Sequence, residues 1–200
     1  MWRGLRRSYS GVWNVLRRYW GAYGGTRALF LSFYFHASIV LTILLSHFWR
    51  TEPWWETALS VLPNVLGFTL AGFTIWLGFG DESFRQRMSA PPRGNGQTSA
   101  FMGVSAAFVH FVIVQIGALL AAVWAKAMNF PLPQGHSLRP IIEWAAPVGH
   151  AFGFLLFVYA LMAALAAALG VFRAASWYDG HRRNGSNGEL PTGSAKIDSE

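Results

Sequence analysis

Four histidines, His36, His47, His110 and His150, stand in otherwise apolar stretches and carry the most chemistry the chain has to offer. An imidazole in a hydrocarbon setting can ligate haem iron, relay a proton or hold a neighbouring helix by one hydrogen bond. His36 lies eight residues past Ala28 and His110 ten past Ala100, so the two rings share a depth if their helices are neighbours. His47 and His150 make a second pair toward the opposite end. Two histidine pairs at two depths suit bis-imidazole ligation of haem b. His36, His110, His47 and His150 are therefore the candidate cofactor ligands.

Uncharged polar side chains in the same stretches suggest a different chemistry. Asn64, Thr74 and Gln115, together with His36 and His110, are the candidate lining of a conduit, because polar groups within a span usually face the bundle interior. No Asp, Glu, Lys or Arg falls within an apolar segment, which argues against a carboxylate-driven transporter and against a voltage sensor. The absence of cysteine excludes disulfides, thiolate metal sites and a cysteine nucleophile. No H-E-x-x-H, G-x-S-x-G or phosphate-cradling glycine loop occurs. The adjacent acids Asp81 and Glu82 are expected to make local ion pairs with Arg85, at i,i+4 and i,i+3. The expectation is a protein without catalysis.

In shape, length and helix count the chain is similar to the four-helix cytochromes of the b561 type. That resemblance implies electron transfer through haem b. Those proteins commonly place paired histidines at fixed spacings, and no close pair within one helix occurs here.

The helices that must hold these groups follow from uncharged length. Residues 57–80 carry no charge and reach about 36 Å as a helix, enough to cross a hydrocarbon core of about 30 Å. Ser60, Asn64, Gly67, Ala71, Thr74 and Gly78 form a heptad seam of small and polar side chains within it, of the kind that lets membrane helices approach closely. This helix is expected to be the packing hub, mildly kinked at Pro63. Further spans are expected over 28–49, 100–125 and 144–172, the last with a Gly149-x-x-x-Gly153 contact. An irregular external segment is expected over 126–143, where Pro131, Pro133 and Pro140 oppose a helix, and a flexible loop over 81–99. Residues 2–20 place Trp2, Leu5, Tyr9, Val12, Trp13, Leu16 and Trp20 on one sector beside a run of arginines, which predicts an amphipathic helix in the headgroup plane.

The expected fold is thus all-α: a polytopic membrane protein with four transmembrane helices in an antiparallel bundle and an N-terminal amphipathic interfacial helix. Residues 1–27 form that helix and its hinge, 28–178 the membrane domain and 179–200 a disordered cytoplasmic tail. Composition agrees, being 53% hydrophobic and 12% charged with a mean hydropathy of +0.31. The net charge of +7 comes from residues that flank apolar segments, pointing to anionic lipid headgroups rather than nucleic acid. Thirteen of the 16 Lys and Arg residues fall on one side of the expected spans, which predicts cytoplasmic termini in a bacterial-type inner membrane. Small-residue faces on three helices exceed what one bundle needs, so the expected role is a homo-oligomeric or partner-bound membrane module.

Overall fold

The computed structural model describes residues 2–90, 98–130 and 139–187. Among these the chain is entirely helical outside short connections. In order the helices are α1 (Trp2–Tyr23), α2 (Gly25–Phe30), α3 (Phe33–Leu44), α4 (Ser46–Thr51), α5 (Trp54–Gly78), α6 (Glu82–Ser89), α7 (Ala100–Met128) and α8 (Arg139–Asn187). Three of them, α5, α7 and α8, are long and apolar enough to cross a membrane, which gives the chain the make-up of a membrane protein.

The continuous helix expected over 28–49 is instead three pieces, and the breaks have local causes. Gly24 and Gly25 take positive φ values of 100° and 65°, turning the chain between α1 and α2. Ser32 is extended and separates α2 from α3. Within α3, Ser38 and Thr42 bond back to the carbonyls of Tyr34 and Ser38, a habit that loosens and bends helices. The Trp49 indole then donates to the Thr42 carbonyl at 2.9 Å, across the turn at Leu45. Hydropathy registers none of these competitors for the backbone.

Two further boundaries differ from expectation. The helix α8 begins at Arg139, inside the segment expected to be irregular, because Pro140 in a first helical turn lacks only a donor that would be unsatisfied anyway. It then runs past Phe172 to Asn187, into the stretch expected to be a disordered tail, with an Asp179–Arg183 ion pair of 2.9 Å on the added turns. The loop after α5 contains α6, capped by Asp81. Pro131, Pro133, the 91–97 stretch and residues 188–200 lie outside the described residues.

The core sits between α5, α7 and α8. Trp54, Ala58 and Leu62 of α5 pack with Val114, Ala118 and Ala122 of α7 and with Phe154, Phe157 and Ala160 of α8. A second cluster joins Trp76 to Val104, Phe108, Ala167 and Ala174. Polar bonds register the same helices: the Trp76 indole donates to Ser105 Oγ at 3.1 Å and Gln115 Nε2 to Thr69 Oγ1 at 2.9 Å. At Gly153 α8 lies tight against α5, since a Cβ there would lie 2.6 Å from the fully buried Trp54 ring.

Candidate functional site

The seam on α5 faces away from the rest of the chain. Ser60, Asn64, Gly67, Ala71, Thr74 and Gly78 are all exposed, and nothing comes within 4 Å of where a Cβ would sit on Gly67 or Gly78. The buried face is the opposite one, made by Ala58, Leu62, Thr69 and Trp76. The hub expectation is thus corrected: α5 does pack at the centre, but through the face of Ala58, Leu62, Thr69 and Trp76, and the small-residue seam turns outward. Both stripes repeat at heptad spacing, and the sequence marks the seam without saying which way it turns. Thr74 bonds its own Leu70 carbonyl at 3.0 Å, and Asn64 Nδ2 reaches the Ser60 carbonyl only at 3.4 Å.

The histidines do not meet in pairs. His36 and His47 are exposed, on the outer surface of α3 and in α4. His110 is buried in α7, but its neighbours are tyrosines. Nδ1 lies 2.9 Å from the Tyr19 hydroxyl, Nε2 lies 2.8 Å from the Tyr159 hydroxyl, and the Tyr23 ring stacks on the imidazole with centroids 4.0 Å apart. A neutral imidazole offers one donor and one acceptor, so one phenol donates to it and the other accepts from it. Both ring nitrogens are engaged by phenols. His150 packs on Trp54 and Trp55, its Nδ1 accepting from the Trp54 indole at 3.3 Å, and among the described residues it meets no other histidine. The axial pairs on which haem ligation was expected are therefore not assembled.

This cluster also relocates the end of α1. His110 is ten residues from Ala100, about 15 Å along α7. Tyr19, Trp20 and Tyr23 reach that level, so the last turn of α1 is docked into the bundle rather than confined to its rim. Further back, Tyr9, Val12 and Trp13 remain exposed. The three phenols come from residues 19, 23 and 159, and no local pattern in the sequence announces their convergence on one ring.

Gln115 is fully buried. Its amide nitrogen is satisfied by Thr69, while Oε1 finds no partner among the described residues. The five residues expected to line a conduit thus divide, with Asn64, Thr74 and His36 outside and His110 and Gln115 inside. The glycine pair divides too: Gly153 is pressed against Trp54, whereas Gly149 has open space. At the end of α5, Asp81 does not pair with Arg85. Its carboxylate caps α6, accepting from the Phe84 amide at 2.9 Å and from Ser83 Oγ at 2.8 Å, and Glu82 takes the Gln86 amide. The Phe84 amide first, and Ser83 after it, hold the Asp81 carboxyl below the usual carboxylate range. No family model matches the chain, and neither a curated protein nor a solved structure matches it.

Proposed function

We propose that the chain is a non-catalytic assembly module of a bacterial-type cytoplasmic membrane, binding a second copy of itself through the outward face of α5. The observation that carries this reading is Asn64. Ten residues into a 25-residue helix, its carboxamide points outward with a single long internal bond. In hydrocarbon an amide without partners costs roughly 4–8 kcal/mol relative to water. Pro63, one residue earlier, has no N–H for the Leu59 carbonyl, so a second polar group on this helix lacks its helical donor. Small neighbours at Gly67, Ala71 and Gly78 let another backbone approach these groups closely.

Two copies inserted in the same sense carry α5 in the same direction. Under a two-fold axis along the membrane normal, Asn64 meets Asn64 at equal depth, where each carboxamide can both donate and accept. The bundle we infer has four antiparallel passes, the first made by the broken α2–α4 segment, with both termini cytoplasmic. Contacts such as Trp76 with Ser105 and Thr69 with Gln115 support the antiparallel run of α5 and α7, and the arginine bias supports the orientation. The exposed Tyr9, Val12 and Trp13 of α1, beside Arg17 and Arg18, suit an anionic leaflet, each arginine contributing about 1 kcal/mol. A conduit through one copy has less support, because its candidate lining is split between the inside and the outside.

The test is energy transfer between donor- and acceptor-labelled copies in lipid vesicles at rising protein-to-lipid ratio. Asn64→Leu is expected to weaken association about 3- to 30-fold, the equivalent of one membrane hydrogen bond of about 0.6–2 kcal/mol. Gly67→Leu is expected to weaken it further by blocking close approach. Transfer unchanged in both variants contradicts the proposal.

A further inference from the structure

A cavity of about 410 Å³ lies between α8 and the broken segment α2–α3, within the range of about 300–1,000 Å³ typical of small-molecule sites. It exists because α3 begins only at Phe33. Beside Ala163 and Ala166 of α8 the neighbouring wall is Ala28 of α2, Ser32 and the first turn of α3 rather than a continuous helix, and the two alanines fill little of the space left over.

Its lining has two characters. Phe33, Phe111, Ala163 and Ala166 give it apolar walls. Tyr23, Ser32, Tyr34 and Tyr159 also line it, and Arg173 supplies a cation at the end of the stripe that Tyr159, Ala163 and Ala166 make along α8. Arg173 and Ala166 line the same cavity, about two turns apart on one stripe of α8. Among the described residues no carboxylate pairs with it, and its guanidinium carbon stands 5.3 Å from the centroid of the Trp177 ring. Tyr159 lies 14 residues from Arg173, about 21 Å along α8, somewhat more than the 15 Å or so of one leaflet's hydrocarbon depth. An unpaired guanidinium opening onto an apolar slot of that reach complements a molecule with one acidic group and one apolar tail.

We propose that this cavity binds a single-chain acidic amphiphile, a long-chain carboxylic acid or its phosphate equivalent, with the acid on Arg173 and the tail along Ala163 and Ala166 toward Tyr159. The site is separate from the outward face of α5, and its occupancy does not depend on self-association.

The experiment uses the purified full chain in phosphatidylcholine nanodiscs and a diazirine-bearing palmitic acid as probe. Photolabelling is expected on peptides covering residues 28–34 and 159–173, competed by palmitate and not by hexadecanol, which has the tail without the charge. Arg173→Gln is expected to lower labelling about tenfold or more, the loss of one charge-assisted contact, while Arg173→Lys retains most of it. Ala163→Leu is expected to lower labelling by filling the slot, with helicity and elution volume unchanged. Equal competition by hexadecanol overturns the acidic head group, and it does so on the unaltered protein. Labelling undiminished in Arg173→Gln or in Ala163→Leu overturns the location. Labelling of the same peptides by a photoreactive phosphatidylglycerol but not by the palmitate probe overturns the single-chain class.

Discussion

The His110 Nε2 atom lies 2.8 Å from the hydroxyl of Tyr159, joining α7 to α8 through a ring whose other nitrogen is bonded to Tyr19. Each phenol satisfies a nitrogen that the surrounding apolar side chains cannot. Tyr159→Phe removes one partner and leaves a buried ring nitrogen unpaired, an expected loss of about 1–3 kcal/mol. In a double-mutant cycle with His110→Leu the two losses are expected to be non-additive by about 0.5–3 kcal/mol. Detergent unfolding curves of the four proteins check this, and strict additivity would mean the contact contributes nothing.

Gly149 and Gly153 form one Gly-x-x-x-Gly pair in the sequence, but they are expected to respond differently to the same methyl group. At Gly153 the added carbon lies 2.6 Å from a Trp54 ring that is fully buried and has nowhere to move, so Gly153→Ala is expected to cost about 1–3 kcal/mol. At Gly149 the space is open, and Gly149→Ala is expected to leave the melting temperature unchanged or slightly higher. Equal effects at the two positions would contradict the α5–α8 contact.

Much of the architecture was legible in uncharged length alone. The apolar runs of α5 and α7 stay helical although Thr69, Thr74 and Ser105 bond back to their own helix carbonyls, and both keep close to their expected bounds. The 28–49 segment is not one continuous span because the backbone is extended at Ser32 and the Trp49 indole takes the Thr42 carbonyl across the turn at Leu45, neither of which hydropathy registers. On α5 both faces repeat every seven residues, so only packing decided that Trp76 and Leu62 turn inward and Asn64 outward. The tyrosines around His110 come from distant positions in the chain, and the expectation of histidine pairs rested on depth without azimuth.

Gln115 carries a buried carbonyl oxygen with no partner among the described residues, the opposite case to His110. Replacing it with Met keeps the volume and removes the orphan oxygen, while Thr69 retains its own bond to the Val65 carbonyl at 2.9 Å. Gln115→Met is therefore expected to be neutral or stabilising by about 1 kcal/mol. A clear fall in the melting temperature of this variant would assign Oε1 a partner that matters.

The Asp81 cap gives α6 a pH dependence whose sign follows from its depressed pKa. A carboxylate more acidic in the folded chain stabilises above its ordinary pKa, about 3.9, and that contribution is lost as pH falls through the lower folded value. Hydrogen exchange at the Phe84 amide is expected to accelerate across that acidic window. Asp81→Asn, which can still accept from the amide, is expected to flatten the dependence, and Asp81→Ala to leave the amide unprotected at every pH.

The claim that α5 pairs with α5 is tested most directly by cysteine scanning, since the chain has no cysteine of its own. Single cysteines at Gly67, Ala71 and Thr74 are to be compared with cysteines at Leu70 and Leu77, which are also exposed but turned about a quarter of the way round the helix. Under oxidation in native membranes the account predicts disulfide-linked dimers at the first three positions and none at the other two. Crosslinking that is equal at all five, or absent from the seam, would contradict it.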